Sequence, residues 1–334
     1  ERARNPFHRC YFHSQPGGDR AATGRRSPKA FRPAGRVTGR LPARRGWTIT
    51  WGGWKHPSVT PPSTFSEVLA TLSLRRVTAA SFVGEQLAAP FNHILGGHVA
   101  AQSLIAAAHT VPGRSAHSMH AYFLRAGDAR KPVDYDVVEL QDGRTFAARR
   151  ITARQDGQVL AETMASFKAT GAQRDDVEYQ PAMPTVPAPE ELPPPPAHFA
   201  ESAYDGRWSS LRWFERRVID ADVAPPARSR IWWRPGGEVP DDSALVAAMV
   251  VYLSAVTLAE PVNAARGRVG ESAQRGHSVL FHRPADFSDW LLYDQSTPTS
   301  ADALALAGGR MFNRNGDLVC TVEQETYFPP PRGR

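Results

Sequence analysis

The chain is poor in cysteine, with Cys10 and Cys320 the only two among its 334 residues. Two isolated thiols make no disulfide framework, and no Cys/His cluster has the spacing of a metal site. A reducing, cytoplasmic setting is therefore expected, with neither metal nor other cofactor. Long apolar runs are also missing. The longest, Ala244 to Ala259, is broken by Ser254 and Thr257. That is short for a membrane span and reads as a buried core helix. No apolar segment near the N-terminus resembles a secretory signal. The chain lacks a G-x-S-x-G elbow, which removes the common serine-hydrolase arrangement.

The formal charge of +7 suggests a nucleic-acid binder until it is located. Residues 1–57 hold 11 Arg and 2 Lys against Glu1 and Asp19, so the rest of the chain is mildly acidic. The basic segment is rich in Pro and Gly, has no apolar periodicity, and is expected to be disordered. Trp47, Trp51 and Trp54 within it are weak grounds for a nucleic-acid arm, and nucleic acid is not expected as a partner.

What the chain does have is an internal repeat. Val99-Ala100-Ala101 opens an apolar helix, and Val246-Ala247-Ala248 opens another 147 residues on. His117-Ser118 returns as His277-Ser278, Tyr135-Asp136 as Tyr293-Asp294, and Asp156-Gly157 as Asn315-Gly316, at offsets of 158 to 160. Asp-Gly and Asn-Gly suit tight hairpins whose two central residues both take positive φ. Alternation at Val133, Tyr135 and Val137, and at Leu318, Cys320 and Val322, has the period of half-buried strands. Each helix is apolar nearly all round, so it should be wrapped by a sheet. These features predict an α+β double hotdog, two copies of a buried helix in a curved antiparallel sheet. The expected divisions are the basic segment 1–57, a first hotdog at 58–170, a Pro-rich linker at 171–206 outside the core, and a second hotdog at 207–330. Ser63 or Thr64, with Glu67, is expected to cap a short helix near the start of the first copy.

Several motifs carry a resemblance. They are Gly96-Gly97-His98-Val99, His117 through Asp128, Lys131-Pro132 and Phe146-Ala147-Ala148-Arg149-Arg150 in the first copy. In the second they are Val239-Pro240-Asp241-Asp242, Phe281-His282-Arg283-Pro284 and Trp290-Leu291-Leu292-Tyr293. Over residues 64–328 the chain resembles the acyl-CoA thioesterase II family. The resemblance implies a double hotdog that hydrolyses acyl-CoA to free acid and CoA, with a water held by an Asp, a Thr or Ser, and a Gln. It implies no cofactor, takes acyl-CoA as partner, and is compatible with a homo-oligomer.

Carried onto this chain, the family's Gln is Gln324. Gln274 stands at the Thr/Ser position, with Ser272 reached by a two-residue slip. Ala255 stands at the Asp position, and its repeat counterpart Ala108 is also alanine. A methyl group cannot accept a proton, so the general base is missing. Glu271, Glu323 and Glu325 are candidate replacements, each with a solvated carboxylate as the plain alternative. The N–H groups of Gly96 and Gly97 could polarise a thioester carbonyl. His98 occupies a position where the family has Gln, and His282 with Arg283 could contact CoA phosphates. Two functions follow: a thioesterase with altered or weak activity, or an inactive acyl-CoA binder or assembly protein on the same scaffold.

Overall fold

The computed structural model describes residues 64–87, 93–171, 177–194, 214–219, 227–266 and 272–329. The basic segment 1–57, the end of the Pro-rich run and Glu271 lie outside the described residues. The described elements begin with α1 (Phe65–Leu72), β1 (Arg75–Arg76), β2 (Ser81–Gly84) and α2 (Gly96–Ala108). Next come β3 (Arg114–Phe123), β4 (Val133–Asp142), β5 (Phe146–Gln155) and β6 (Gln158–Ala169). The second copy has β7 (Phe214–Val218), β8 (Arg228–Pro235), α3 (Ser243–Thr257), α4 (Glu260–Arg266), β9 (Ala273–Phe281), β10 (Leu291–Ala301), β11 (Leu304–Asn313) and β12 (Leu318–Tyr327).

All twelve strands form one sheet, ordered β1-β2-β4-β5-β6-β3-β9-β12-β11-β10-β8-β7. The order reads outward from the β3–β9 seam identically in both directions, so the duplication is visible as symmetry. Two strands precede each helix, where the repeat had predicted only a helix followed by strands. They add the outer edges, β1-β2 and β7-β8.

The local chemistry explains the elements. Thr64 caps α1, its hydroxyl accepting from Glu67 N at 3.3 Å while the Glu67 carboxylate accepts from Thr64 N at 2.5 Å. Asp242 caps α3 by accepting from the N–H groups of Ala244 and Leu245. Both central helices are buried on nearly every side: Ala100, Ala101, Leu104, Met249, Val251 and Leu253 are almost fully enclosed. The helix Ser243–Arg266 is apolar and long enough to cross a membrane by length and composition, but most of it lies inside the protein.

The two hairpins differ. Asp156 and Gly157 both take positive φ (50° and 74°), as a two-residue turn requires. In the second copy only Gly316 does, at 95°. Gly316 N donates to Asn313 O, and Asn313 N donates to Asp317 O, so the loop holds one more residue. That insertion moves the repeat offset from 158 before the turn to 159 after it.

The connecting segment departs from its expected place outside the core. Met183, Val186 and Leu192 pack on Trp232, Trp290, Leu292, Phe312 and Leu318, a second small core on the back of the sheet. Gln180 accepts from Leu318 N and donates to Gly316 O, Trp232 Nε1 donates to Pro187 O, and Arg314 pairs with Glu190 at 2.7 Å. Exposed tryptophans on a sheet face are costly, and this strap covers them.

Candidate active site

The helix α2 begins without a side-chain cap: Leu95 is the N-cap, and the first helical bonds run from His98 N and Val99 N to Leu95 O. Backbone N–H groups at such an end attract negative charge. The two glycines that open the helix are required by close approach. A Cβ on Gly96 would run into Gln274 Oε1 and lie 3.1 Å from the Phe123 ring. A Cβ on Gly97 would stand 2.7 Å from Ala255 Cβ and 3.0 Å from Tyr252 O. The start of α2 is therefore pressed against the last turns of α3 and the first residues of β9.

Gln274 and Gln324 meet there. Gln274 Nε2 donates to Gln324 Oε1 at 3.0 Å and to Ala255 O at 2.8 Å. Gln324, fully buried, sends its own Nε2 toward Thr326 Oγ1 at 3.4 Å. These bonds fix the amide orientations: Gln274 turns its oxygen to Gly96, and Gln324 keeps one N–H free of these partners. So four of the residues singled out in the sequence (Gln274, Gln324, Gly96 and Gly97) converge with Ala255 at one point. Ser272 lies just before β9, and it is Gln274 that makes the contact.

His98 is in the first turn of α2 and is buried, its ring 5.5 Å from that of Tyr252. Its Nε2 has no partner, and burial lowers its pKa to about 4. It packs as a neutral core group.

Other sequence candidates fall elsewhere. His282 and Arg283 follow the far end of β9, eight residues from Gln274, which is roughly 26 Å of extended strand. His282 Nε2 bonds Thr321 Oγ1, and Arg283 pairs with Glu178 at 3.4 Å. They contribute nothing to the Gln274–Gln324 point. Glu323 and Glu325 flank Gln324 on β12 and so project from the opposite, exposed face of the sheet. Neither can serve as a base at Gln324. Among the described residues no three His, Cys, Asp or Glu side chains gather as a metal site.

Sequence reading missed one neighbour. His277 lies directly across the ladder from Gln324 and is completely buried. Its Nε2 is 2.9 Å from Ser254 Oγ, while Ser254 Oγ donates to Val251 O and Ser254 O accepts from Tyr293 OH. Burial is the main cause that lowers the His277 pKa to about 4, with His120 adding to it and Gln324 opposing. The alternation of β9 carried the signal, because His277 shares the inward face with Val279.

Comparisons with known proteins identify the family. Residues 87–168 match the family model described as acyl-CoA thioesterase N-terminal domain, and residues 213–327 match acyl-CoA thioesterase. Acyl-CoA thioesterase 2 of Haemophilus influenzae is 30% identical over 277 residues, covering 78% of this chain and 96% of that protein. The solved structure of the tesB protein of Mycobacterium avium subs paratuberculosis is 58% identical with a TM-score of 0.71, covering 80% of this chain and all of that one. Acyl-CoA thioesterase II TesB2 of Mycobacterium marinum is 31% identical with a TM-score of 0.67, covering 80% and 99%. With both halves matched, and a relative 30% identical across most of its length, the chain is a double hotdog that belongs to the acyl-CoA thioesterase II family.

Proposed function

We propose that this chain hydrolyses the thioester of an acyl-CoA at the junction of α2, α3 and the β9–β12 ladder. The observation that carries the reading is the Gln274–Gln324 hydrogen bond at the uncapped start of α2. Gly96 and Gly97 N–H groups would receive the thioester carbonyl and stabilise its charge as the tetrahedral intermediate forms. Gln274 Oε1 and the free N–H of Gln324 would hold the attacking water by accepting from it and donating to it. Ala255 takes the position of the family's Asp and supplies only a backbone carbonyl here, which orients Gln274.

The substrate class follows from family membership, and fatty acyl chains are its ordinary members. A cytoplasmic location accords with the free, buried Cys320. Residues 58–170 and 207–330 serve as the two hotdog units, and assembly into a homo-oligomer is compatible with this reading.

The experiment is release of CoA thiol from a series of acyl-CoA chain lengths by the purified chain. Release above background supports hydrolysis. The absence of carboxylate at Ala255 favours a second reading, an acyl-CoA binder without turnover. Calorimetry with a non-hydrolysable analogue separates them, since binding with no thiol release at any chain length leaves only the second.

A further inference from the structure

Hydrolysis at Gln274 and Gln324 needs a group that takes a proton from water, and Ala255 cannot. Glu323 and Glu325 face the other side of the sheet. We propose that His277, through Nδ1, is the proton acceptor for the hydrolytic water in this chain. The inference rests on the hydrolase reading above.

The tautomer follows from the bonds. Ser254 has one hydroxyl proton, and it goes to Val251 O at 2.9 Å. The 2.9 Å contact between Ser254 Oγ and His277 Nε2 must then run from Nε2–H to Oγ. That leaves Nδ1 as a lone pair; it is buried without a partner at strict hydrogen-bond geometry, and the Gln324 side chain lies near enough to act on the ring. A buried acceptor without a partner is costly and rare in a folded protein. A water or a reacting group bound beside it removes that cost.

Position fits the role. His277 and Gln324 are directly opposed in the β9–β12 ladder, with both side chains on the inner face. Opposed Cβ atoms lie about 4.5–5.5 Å apart. One water beside the pair could accept from the free Gln324 N–H and give its proton to Nδ1. The lowered pKa keeps the ring neutral, and therefore able to accept, across the physiological range.

The step balances without further reagents. Water oxygen bonds to the thioester carbonyl carbon while one water proton moves to Nδ1. The tetrahedral intermediate collapses by breaking the C–S bond, and the proton passes from the imidazolium to the departing sulfur. Free acid and CoA thiol result.

The titratable groups around His277 are few. His120 on the neighbouring β3 bonds Ser278 Oγ and opposes a charge on His277. Tyr293 on β10 reaches Ser254 O, and Tyr252 on α3 meets His98 of α2, both phenols raised by burial. From β12 the facing group is the uncharged Gln324, with Glu323 and Glu325 behind the sheet.

The test uses the full chain and thiol release. His277→Asn should lower kcat by about 100- to 10,000-fold with KM little changed. Adding Ala255→Asp to that variant should restore at least tenfold, because a carboxylate then stands on the opposite flank of the Gln274–Gln324 pair. A merely structural histidine would not be rescued this way. Wild-type rate in His277→Asn, no rescue by Ala255→Asp, or the same rescued loss in His98→Asn but not in His277→Asn overturns the proposal. Should His277→Asn fail to fold, the wild-type acid limb of kcat/KM decides. A limb that moves to lower pH on warming marks an imidazole and supports the proposal. A limb that stays fixed marks a carboxyl group and overturns it, as does no limb at all. If the wild type releases no thiol, the hydrolase reading falls and this inference with it; activity that survives without His277 sinks this inference alone.

Discussion

His120 on β3 stands directly opposite Ser278 on β9, and the two are counterparts at the 158-residue offset that the ladders of the two copies share. The pseudo-twofold therefore passes through that pair, within the five residue pairs that join the halves. Applied to the candidate site, the symmetry sends Gln274 to Ala116 and Gln324 to Ala165. Both end in a methyl group, so the mirrored location has neither amide. A non-hydrolysable acyl-CoA analogue should bind with a stoichiometry of one per chain. Calorimetry giving two equivalent sites would contradict the asymmetry.

Replacing Gln324 by Ala removes the acceptor of Gln274 Nε2 and one holder of the water. Loss of a donor or orienting amide at such a site costs about 100- to 1,000-fold in kcat. Leaving the Gln274 amide short of a partner adds about 1–3 kcal/mol of destabilisation. Steady-state thiol release and urea unfolding of Gln324→Ala measure the two effects separately.

Arg283→Ala and His282→Ala should leave KM for acyl-CoA within about twofold, because both residues sit past the far end of β9 and pair with Glu178 and Thr321. Exposed pairs of this kind contribute ~0–1 kcal/mol, so stability should hardly change. A tenfold rise in KM would place the CoA moiety at that end of the strand.

Acid should weaken the fold through two buried imidazoles. His98 and His277 each have a pKa of about 4 when folded, against 6.5 for an ordinary histidine. Between those values the unfolded chain binds more protons than the folded one, so stability rises with pH across that window. It is fully present above about pH 6.5 and is lost as pH falls toward 4. Each group accounts for up to about 3 kcal/mol at about 1.4 kcal/mol per unit. Urea midpoints at pH 7.5, 6.0 and 5.0 should fall in that order; equal midpoints would show that neither ring is held neutral.

How far the sequence carried depends on the residue. The two wrapped helices were legible because alanine and branched apolar residues on all faces leave no solvent side. Strand alternation also contained the answer for Glu323 and Glu325: Leu318, Cys320 and Val322 share their parity with Gln324, so the two glutamates had to face away. The one-residue insertion at Arg314–Gly316 was hidden, since Asn-Gly suits both two-residue turns and longer loops. The Gln274–Gln324 contact joins residues 50 apart, and only the family resemblance pointed to it. The role of His277 was out of reach, because a free Nδ1 depends on which ring nitrogen meets Ser254.

The strap over Trp232 and Trp290 changes where this chain can be divided. Residues 177–194 precede the second copy in sequence, yet their side chains complete that copy's back face. A fragment starting at β7 would present Trp232, Trp290, Leu292 and Phe312 to water and would be expected to self-associate through them. Cut between Gly171 and Val177, the second copy keeps its own cover, and what opens on each piece is the hydrogen-bonding edge of β3 or β9 together with the face that α2 and α3 turn to each other. Two such edges, once parted, are complementary to each other, so separately made halves of this protein are candidates for reassembly by strand pairing.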